Sequence, residues 1–578
     1  MKRSRPVLLV VPSLRESWDD SHAPWFDKVL PGAWQRELPT LVIVPTPGQA
    51  NDFKTRLIAK RSSYLGLRFV TPASLRPLLA RDDAAPTAQA EHLRLLLAIA
   101  ASEMEIRPDE SEALAAKAVA RSPGLLLRAL DRLETAGWKF DELGLRSFAP
   151  VLQRFNELLK KCSFVLQGES DRNRLQQSAH GKREFSHVLI SGFDGAHWAE
   201  WSLLRAAVEL AENATIVLEE PRENFSDVDL CWIGSWEEVC GEAQRGSRAA
   251  AFAALSDSLF SELEMRGAAK TAKRFDFLIG TNFSEQAEAI AGQCVRYLAD
   301  EKCTRLGLIF PGNGALPRLV ARALERLEIA HNDGLGHRVP GIFESVEWQA
   351  WIELQRAPRL HSFLHFLNAL PEPVVVSPKI GRQVFEKLLQ ESYKEILLDD
   401  LELLREFCAA RADDKSQAAA EAVRTLPFLP VHATFAQFLE QTHAALAHLE
   451  WKQHALELAH VAHDWSQRLD VKFSRALFLR WLEEAAATED AERSAAGDHP
   501  YARVQLLTVA AAQNQEWSHL IFAGWNEGAW PPPARAEFAR AEEIHAFNRS
   551  VQKLNKRASR QGSQGEGHTS IRKNHSLY

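Results

Sequence analysis

Residues 504–533, VQLLTVAAAQNQEWSHLIFAGWNEGAWPPP, constrain the fold more than any other stretch. Val504, Leu506, Leu507 and Val509 form one short apolar run, and residues 520–523 form a second. Polar and turn-forming residues follow each. Continuous runs this short suit strands buried on both faces of a parallel sheet. In such sheets the working groups sit on loops beyond the carboxyl ends of the strands. Those loops are residues 510–517 and 525–533. Similar runs occur at residues 7–11, 41–44, 187–191, 215–218 and 306–310, several leading into a helical pattern. The expected class is α/β.

Between these runs the pattern turns helical twice. EHLRLLLAIAA, EALAAKAVA, GLLLRALDRLETAGW and APVLQRFNELLKKC, within residues 86–177, carry apolar positions three and four apart. They predict a helical insertion with its own core. Residues 340–496 are helical again, through WQAWIELQ, HSFLHFLNAL, RQVFEKLLQESYKEILLDDLELLREFCAARA, FAQFLEQTHAALAHL and RALFLRWLEEAAA. The expected plan is a first α/β domain from residues 1–80 and 183–222, interrupted by residues 81–182. A connector, 223–272, follows, with a helix expected over 242–266. A second α/β domain comes from residues 273–340 and 500–533, interrupted by 341–499. A basic tail, 534–578, closes the chain.

Composition sets limits on function. A chain of 578 residues with 46% hydrophobic and 25% charged residues has material for several cores. The net charge of −7 gives no global case for nucleic acid, so a DNA site must be a local groove. Sixteen tryptophans against five tyrosines are expected mainly in cores, with a few left for base stacking. The six cysteines include no C-x-x-C pair, as in a reduced, cytoplasmic chain with incidental thiols. The opening MKRSRPVLLVVPSL is basic and then apolar. Pro12 ends the run early, so a first strand is expected there, not an export signal. No run approaches the roughly 18–20 apolar residues of a membrane span.

The 504–533 stretch resembles the late motor motif of UvrD/RecB-type superfamily 1 helicases, roughly T-x-H-x-x-K-G-L-E-F, a strand, then G-x-N-E-G-x-x-P. Thr508, Glu516, an aromatic at Trp517, Gly524, Asn526, Glu527, Gly528 and Pro531 are kept. Ala510 replaces the His, Gln513 the Lys and Asn514 the Gly. A retained framework with altered polar residues is similar to the AddB-like proteins of the RecB-type PD-(D/E)XK nuclease family, partner subunits of bacterial helicase–nucleases.

The resemblance extends along the chain. An active motor follows its first strand with G-x-x-x-x-G-K-[ST], whose amides and Lys hold phosphates. Here residues 12–18 read PSLRESW, with no glycine or lysine. LVIVPTPGQANDFKTRL looks like the family's Ia motif, which implies DNA-backbone contacts from Thr46, Gln49, Lys54 and Arg56. An ordinary helix start with solvated charges is the alternative for each. Thr71 and Pro72 match the family's V-x-T-P-x-x-L step. Where a motor has D-E-x-Q-D, this chain has Gly192-Phe193-Asp194-Gly195. Asp194 is thus a degenerate Walker B acid, with a residual metal-ligand role as the alternative. Arg318 and Arg322 lie near the position of a motor's γ-phosphate arginine, with solubility the simpler role.

The resemblance implies two RecA-like (P-loop NTPase fold) parallel-sheet domains, each interrupted by a helical insertion. It implies a non-motor DNA-binding scaffold of an AddAB/RecBCD-type complex in double-strand-break repair. Thr46, Gln49, Lys54, Arg56, Thr508, Gln513 and Asn526 would meet DNA. Partners would be single- or double-stranded DNA ends and an AddA/UvrD-like helicase, with no membrane. No cofactor is expected in this chain; ATP/Mg²⁺ belongs to the partner motor and Mg²⁺ to the family's nuclease domain, whose motifs this sequence lacks. An active ATP-dependent helicase and a non-catalytic protein-interaction module are the alternatives. A measured DNA-stimulated ATPase favours the first, and partner binding without single-stranded DNA binding the second.

Overall fold

The structure is a computed structural model. It describes residues 5–14, 17–60, 63–80, 87–105, 109–135, 146–179, 181–220, 227–246, 278–335, 343, 345–369, 428–449, 451–462, 468–494, 499, 501–512, 515 and 517–526, and positions 387, 406, 409, 410, 414 and 417. In chain order the first elements are β1 (Val7–Val11), α1 (Trp18–Val29), β2 (Thr40–Ile43), α2 (Pro47–Ala59), β3 (Leu67–Val70) and α3 (Pro72–Leu78). Five helices follow: α4 (Ala90–Met104), α5 (Glu110–Arg121), α6 (Pro123–Thr135), α7 (Ala149–Lys161) and α8 (Gln167–Ser178). The chain then returns to β4 (Phe185–Ser191), α9 (Trp201–Glu209), β5 (Ala211–Glu219), α10 (Asp227–Cys240) and β6 (Gln244–Arg245).

These six strands form one parallel sheet in the order β3-β2-β4-β5-β1-β6. Strand alternation sends Val42, Leu189 and Val217 toward α1 and α2, where Trp18, Phe26 and Phe53 cover them. It sends Ile43, Ile190 and Leu218 to the other face, under Leu75, Leu204, Trp232 and Trp236. Both faces are dry, as the continuous apolar runs require. α10 and β6 lie inside the expected connector. Trp232, Ile233 and Trp236 put one helix face into the sheet core, and Trp236 packs 4.7 Å from Trp201, ring to ring. Residues 227–245 of the expected connector therefore belong to the first sheet and its cover. Gln244 and Arg245 are strand, not helix; the rest of the expected helix, from 247, lies outside the described residues.

The second half comprises α11 (Phe283–Leu298), β7 (Leu306–Phe310), α12 (Ala315–Arg326), β8 (His331–Asp333), α13 (Val346–Arg356), α14 (Leu360–Ala369), β9 (His432–Ala433), α15 (Phe435–His448), α16 (Lys452–Ala462), β10 (Phe473–Ser474), α17 (Arg475–Ser494), β11 (Val504–Thr508), α18 (Val509–Ala512) and β12 (His519–Phe522). A four-stranded parallel sheet has the order β12-β7-β11-β8. α11 and α12 cover the face carrying Leu308, Phe310, Leu506 and Ile521. β11 and β7 are buried as expected. β12 is an edge strand, and its Leu520 and Phe522 are 43% and 48% exposed. An edge strand has a neighbour on one side only, which the apolar run alone does not reveal.

The two helical insertions do not keep separate cores. Leu96, Ile99 and Phe155 of the first pack in one cluster with Trp348, Phe435, Phe478 and Trp481 of the second. Polar contacts reinforce the seam. Arg94 pairs with Glu484 at 3.4 Å, and Arg480 Nη1 donates to the Ala120 carbonyl at 2.9 Å. The amphipathic faces read from sequence are correct in spacing for the described helices, but both insertions contribute to one joint core; the stretch expected to be helical over 382–412 lies almost wholly outside the described residues. No helix among the described residues is long and apolar enough to cross a membrane.

Candidate functional site at the junction of the two sheets

At the carboxyl end of the first sheet, β1 runs through Pro12 and Ser13 into α1. A bare helix N-terminus favours anions. This one carries Asp19 and Asp20 in its first turn, which satisfy the helix dipole and repel phosphate. Trp18 is 5% exposed and fills the first turn. His22, one turn on, stacks on Trp18 at 5.0 Å and meets the edge of Phe53 at 5.2 Å. Its Nε2 lies 2.9 Å from Ser191 Oγ at the end of β4, and its Nδ1 2.9 Å from Ser21 Oγ.

The proton positions in this chain follow by elimination. Ser21 Oγ donates to the Ser17 carbonyl at 2.5 Å, so it accepts from His22 Nδ1–H. Nε2 is then left to accept from the Ser191 hydroxyl. Burial pushes the His22 pKa down to about 3, helped by the nearby Arg56 cation, so the ring is neutral. The network bolts α1 to the end of β4.

α2 begins beside this bolt. Thr46 is its N-cap, with Oγ1 accepting from the Gln49 N–H at 3.3 Å. Gln49 is fully buried, and neither side-chain amide atom has a hydrogen-bond partner among the described residues. Its amide lies over Gly192, where φ is +87° and a Cβ would come within 2.3 Å of it. Only glycine suits that backbone and that approach. Lys54 is half-buried, with its ammonium 5.4 Å above the Phe69 ring. Arg56 is held by Asp52 at 3.0 Å and lies 5.0 Å over Trp18. Of the four expected DNA contacts, Thr46, Lys54 and Arg56 are half-buried, with Arg56 engaged by Asp52 and Trp18, and Gln49 is sealed from solvent.

Asp194 is 54% exposed, and its Oδ1 lies 2.8 Å from His197 Nδ1. Burial lowers the His197 pKa, but the Asp194 hydrogen bond and charge outweigh it, and the net shift is upward. Asp194 and His197 thus form an acid–histidine pair just beyond the end of β4.

At the carboxyl end of the second sheet, Thr508 Oγ1 accepts from the Ala511 N–H at 3.2 Å and opens α18. Asn526 is exposed after the turn at Gly524. Trp525 beside it is 72% exposed and meets the Phe522 ring edge-on at 6.0 Å. Most other described tryptophans are core residues, and Trp525 is the most exposed of those described, ahead of Trp34 at 64%. Gln513, Asn514, Glu516 and Glu527 lie outside the described residues. Arg318 and Arg322 are exposed on α12.

The structure brings the two sheets together through α2. Asp52, on the face of α2 away from solvent, accepts from Arg305 Nη1 at 2.9 Å. Arg305 directly precedes β7. Its Nη2 donates to Gln515 Oε1 at 2.5 Å, and its guanidinium lies 4.3 Å over the Trp517 ring. Gln515 also packs against Gly48, where a Cβ would come within 2.1 Å of its amide nitrogen. Asp52, Arg305 and Gln515 were not singled out from sequence. A lone cation ahead of an apolar run and an acid in a polar helix carry no pattern that pairs them. Compared with known proteins, the sequence matches no family model and no curated protein.

Proposed function

We propose that the chain is a helicase-like DNA-binding scaffold without motor activity, built from two RecA-like lobes, and that it serves a DNA-end-processing complex whose partner supplies ATP hydrolysis. The observation that carries the reading is the contrast at the first sheet. The segments resembling motor motifs lie at the ends of adjacent parallel strands, and the second sheet docks against α2. The exit of β1, where a motor holds triphosphate, is occupied by Trp18, His22 and two acids. A scaffold of this kind needs the track and not the fuel site.

Single-stranded DNA would run past the Thr46 end of α2 and the Thr508 and Asn526 loops. Hydroxyls and backbone N–H groups there would meet phosphates without reading sequence, and Trp525 would stack on a base. The test is fluorescence anisotropy of a labelled oligothymidylate, with and without Mg²⁺-ATP. Salt-sensitive binding, unchanged by nucleotide, is the expected result. No binding at low salt, or affinity that follows ATP, sinks the reading. A protein-interaction module would show the first of these failures.

A further inference from the structure

We infer that Arg305 is the pin of a fixed clasp that holds the two sheets in one relative orientation. Three features support it. The Asp52 carboxylate is nearly buried, at 6% side-chain exposure, and is shared by Arg56 of its own helix and Arg305 of the other sheet. Arg305 is 17% exposed and is held on several sides: by Asp52, by Gln515, by Gln505 Oε1 at 3.4 Å, and by the Trp517 face. Its backbone is fixed too. Its N–H donates to Ser518 Oγ at 2.9 Å, and its carbonyl accepts from Ser518 N at 3.0 Å and from His519 N at 3.2 Å. A cation this enclosed does not exchange partners freely with water, because withdrawing it would leave a buried carboxylate unpaired.

The clasp reaches both candidate loops. Gln515 Nε2 donates to the Ala511 carbonyl at 2.5 Å, and the Ala511 N–H is the donor to Thr508. On the other side Gln515 lies against Gly48, one residue into the helix that Thr46 caps. Arg305 and Gln515 thus set the spacing between Thr46 and Thr508. A motor opens and closes its cleft with each nucleotide; a welded cleft presents one fixed spacing to a strand. This consequence for DNA rests on the function proposed above, whereas the clasp itself does not.

The test uses the full chain with spin labels on cysteines placed at the exposed positions Lys28 and Arg318, and reads the distance distribution between them. The unmodified clasp is expected to give one narrow distribution, identical with and without Mg²⁺-ATP. Arg305→Met and Asp52→Asn are each expected to broaden it or add a second distance. The Arg305→Met/Asp52→Asn double variant separates mobility from misfolding. It removes both charges of the clasp and leaves an amide oxygen for Arg56, so it is expected to regain much of the thermal stability lost in either single variant while keeping the broad distribution. A distribution unchanged in both single variants, or one that shifts with nucleotide in the parent, overturns the clasp. Oligothymidylate anisotropy on the same samples distinguishes the failures. A narrow distribution without DNA binding leaves the clasp standing and removes the proposed function.

Discussion

Replacing Gln49 with methionine is expected to stabilise the first sheet. The side chain is fully buried, and both amide atoms lack partners among the described residues. An unsatisfied buried polar group costs about 1–3 kcal/mol. Methionine has nearly the same length and volume and no such groups, so the swap adds little strain. A net gain of about 1–3 kcal/mol follows, or roughly 2–12 °C in Tm for a domain of this size. Near-UV circular dichroism reads the transition, because Trp18 and Trp25 share the core that α2 completes. The variant should bind oligothymidylate within about twofold of the parent, since the residue is sealed from solvent. A lower Tm would refute the reasoning, because it would mean that the amide makes hydrogen bonds essential to the fold. A large loss of DNA affinity at unchanged Tm would instead place Gln49 on the track.

The buried histidines make the fold acid-sensitive. His22 and His92 titrate at about 3 when folded against 6.5 when free, so below pH 6.5 the unfolded chain binds the extra protons and stability falls toward the folded value. Each contributes up to about 2 kcal/mol of loss by about pH 5, and His22→Gln should flatten that slope in urea titrations; an unchanged slope counts against the neutral buried imidazole. Trp236→Ala is expected to destabilise the first sheet by about 3–5 kcal/mol, detected in chemical denaturation, because the ring is fully buried against Trp201. A negligible effect would return α10 to the role of a loose connector. Asp194→Asn should bring the His197 pKa down, since the aspartate charge that opposes burial is lost and only the Glu200 charge still raises it; an NMR titration that shows no movement excludes the pair.

The strands were legible because their burial is local in sequence. Val42 and Leu189 alternate with neighbours that are also apolar, so the run itself announces burial on two faces. Thr46 is the N-cap of α2, a role the sequence offered only as the ordinary helix-start alternative to a DNA contact. What escaped depends on distant pairs. The shared helical core joins Leu96 to Trp481, and each helix shows only that it has an apolar face, never which partner covers it. Of the expected contacts, Gln49 and Arg56 turned inward because Gly192, Asp52 and Trp18 supply what they touch, and those partners are set by tertiary packing. β6 is two residues long and carries no apolar signal, so only its pairing with β1 defines it.

The central claim is that two parallel sheets form one DNA track whose nucleotide end is closed. Photo-crosslinking the full chain to an iodo-uracil oligonucleotide, followed by mass-spectrometric mapping, tests it most directly. The account predicts adducts on Trp525 and on peptides bearing Thr46, Lys54 and Thr508, in the same pattern with or without Mg²⁺-ATP. Adducts confined to the helical insertions or absent at saturating oligonucleotide, or a pattern rearranged by ATP, would contradict it.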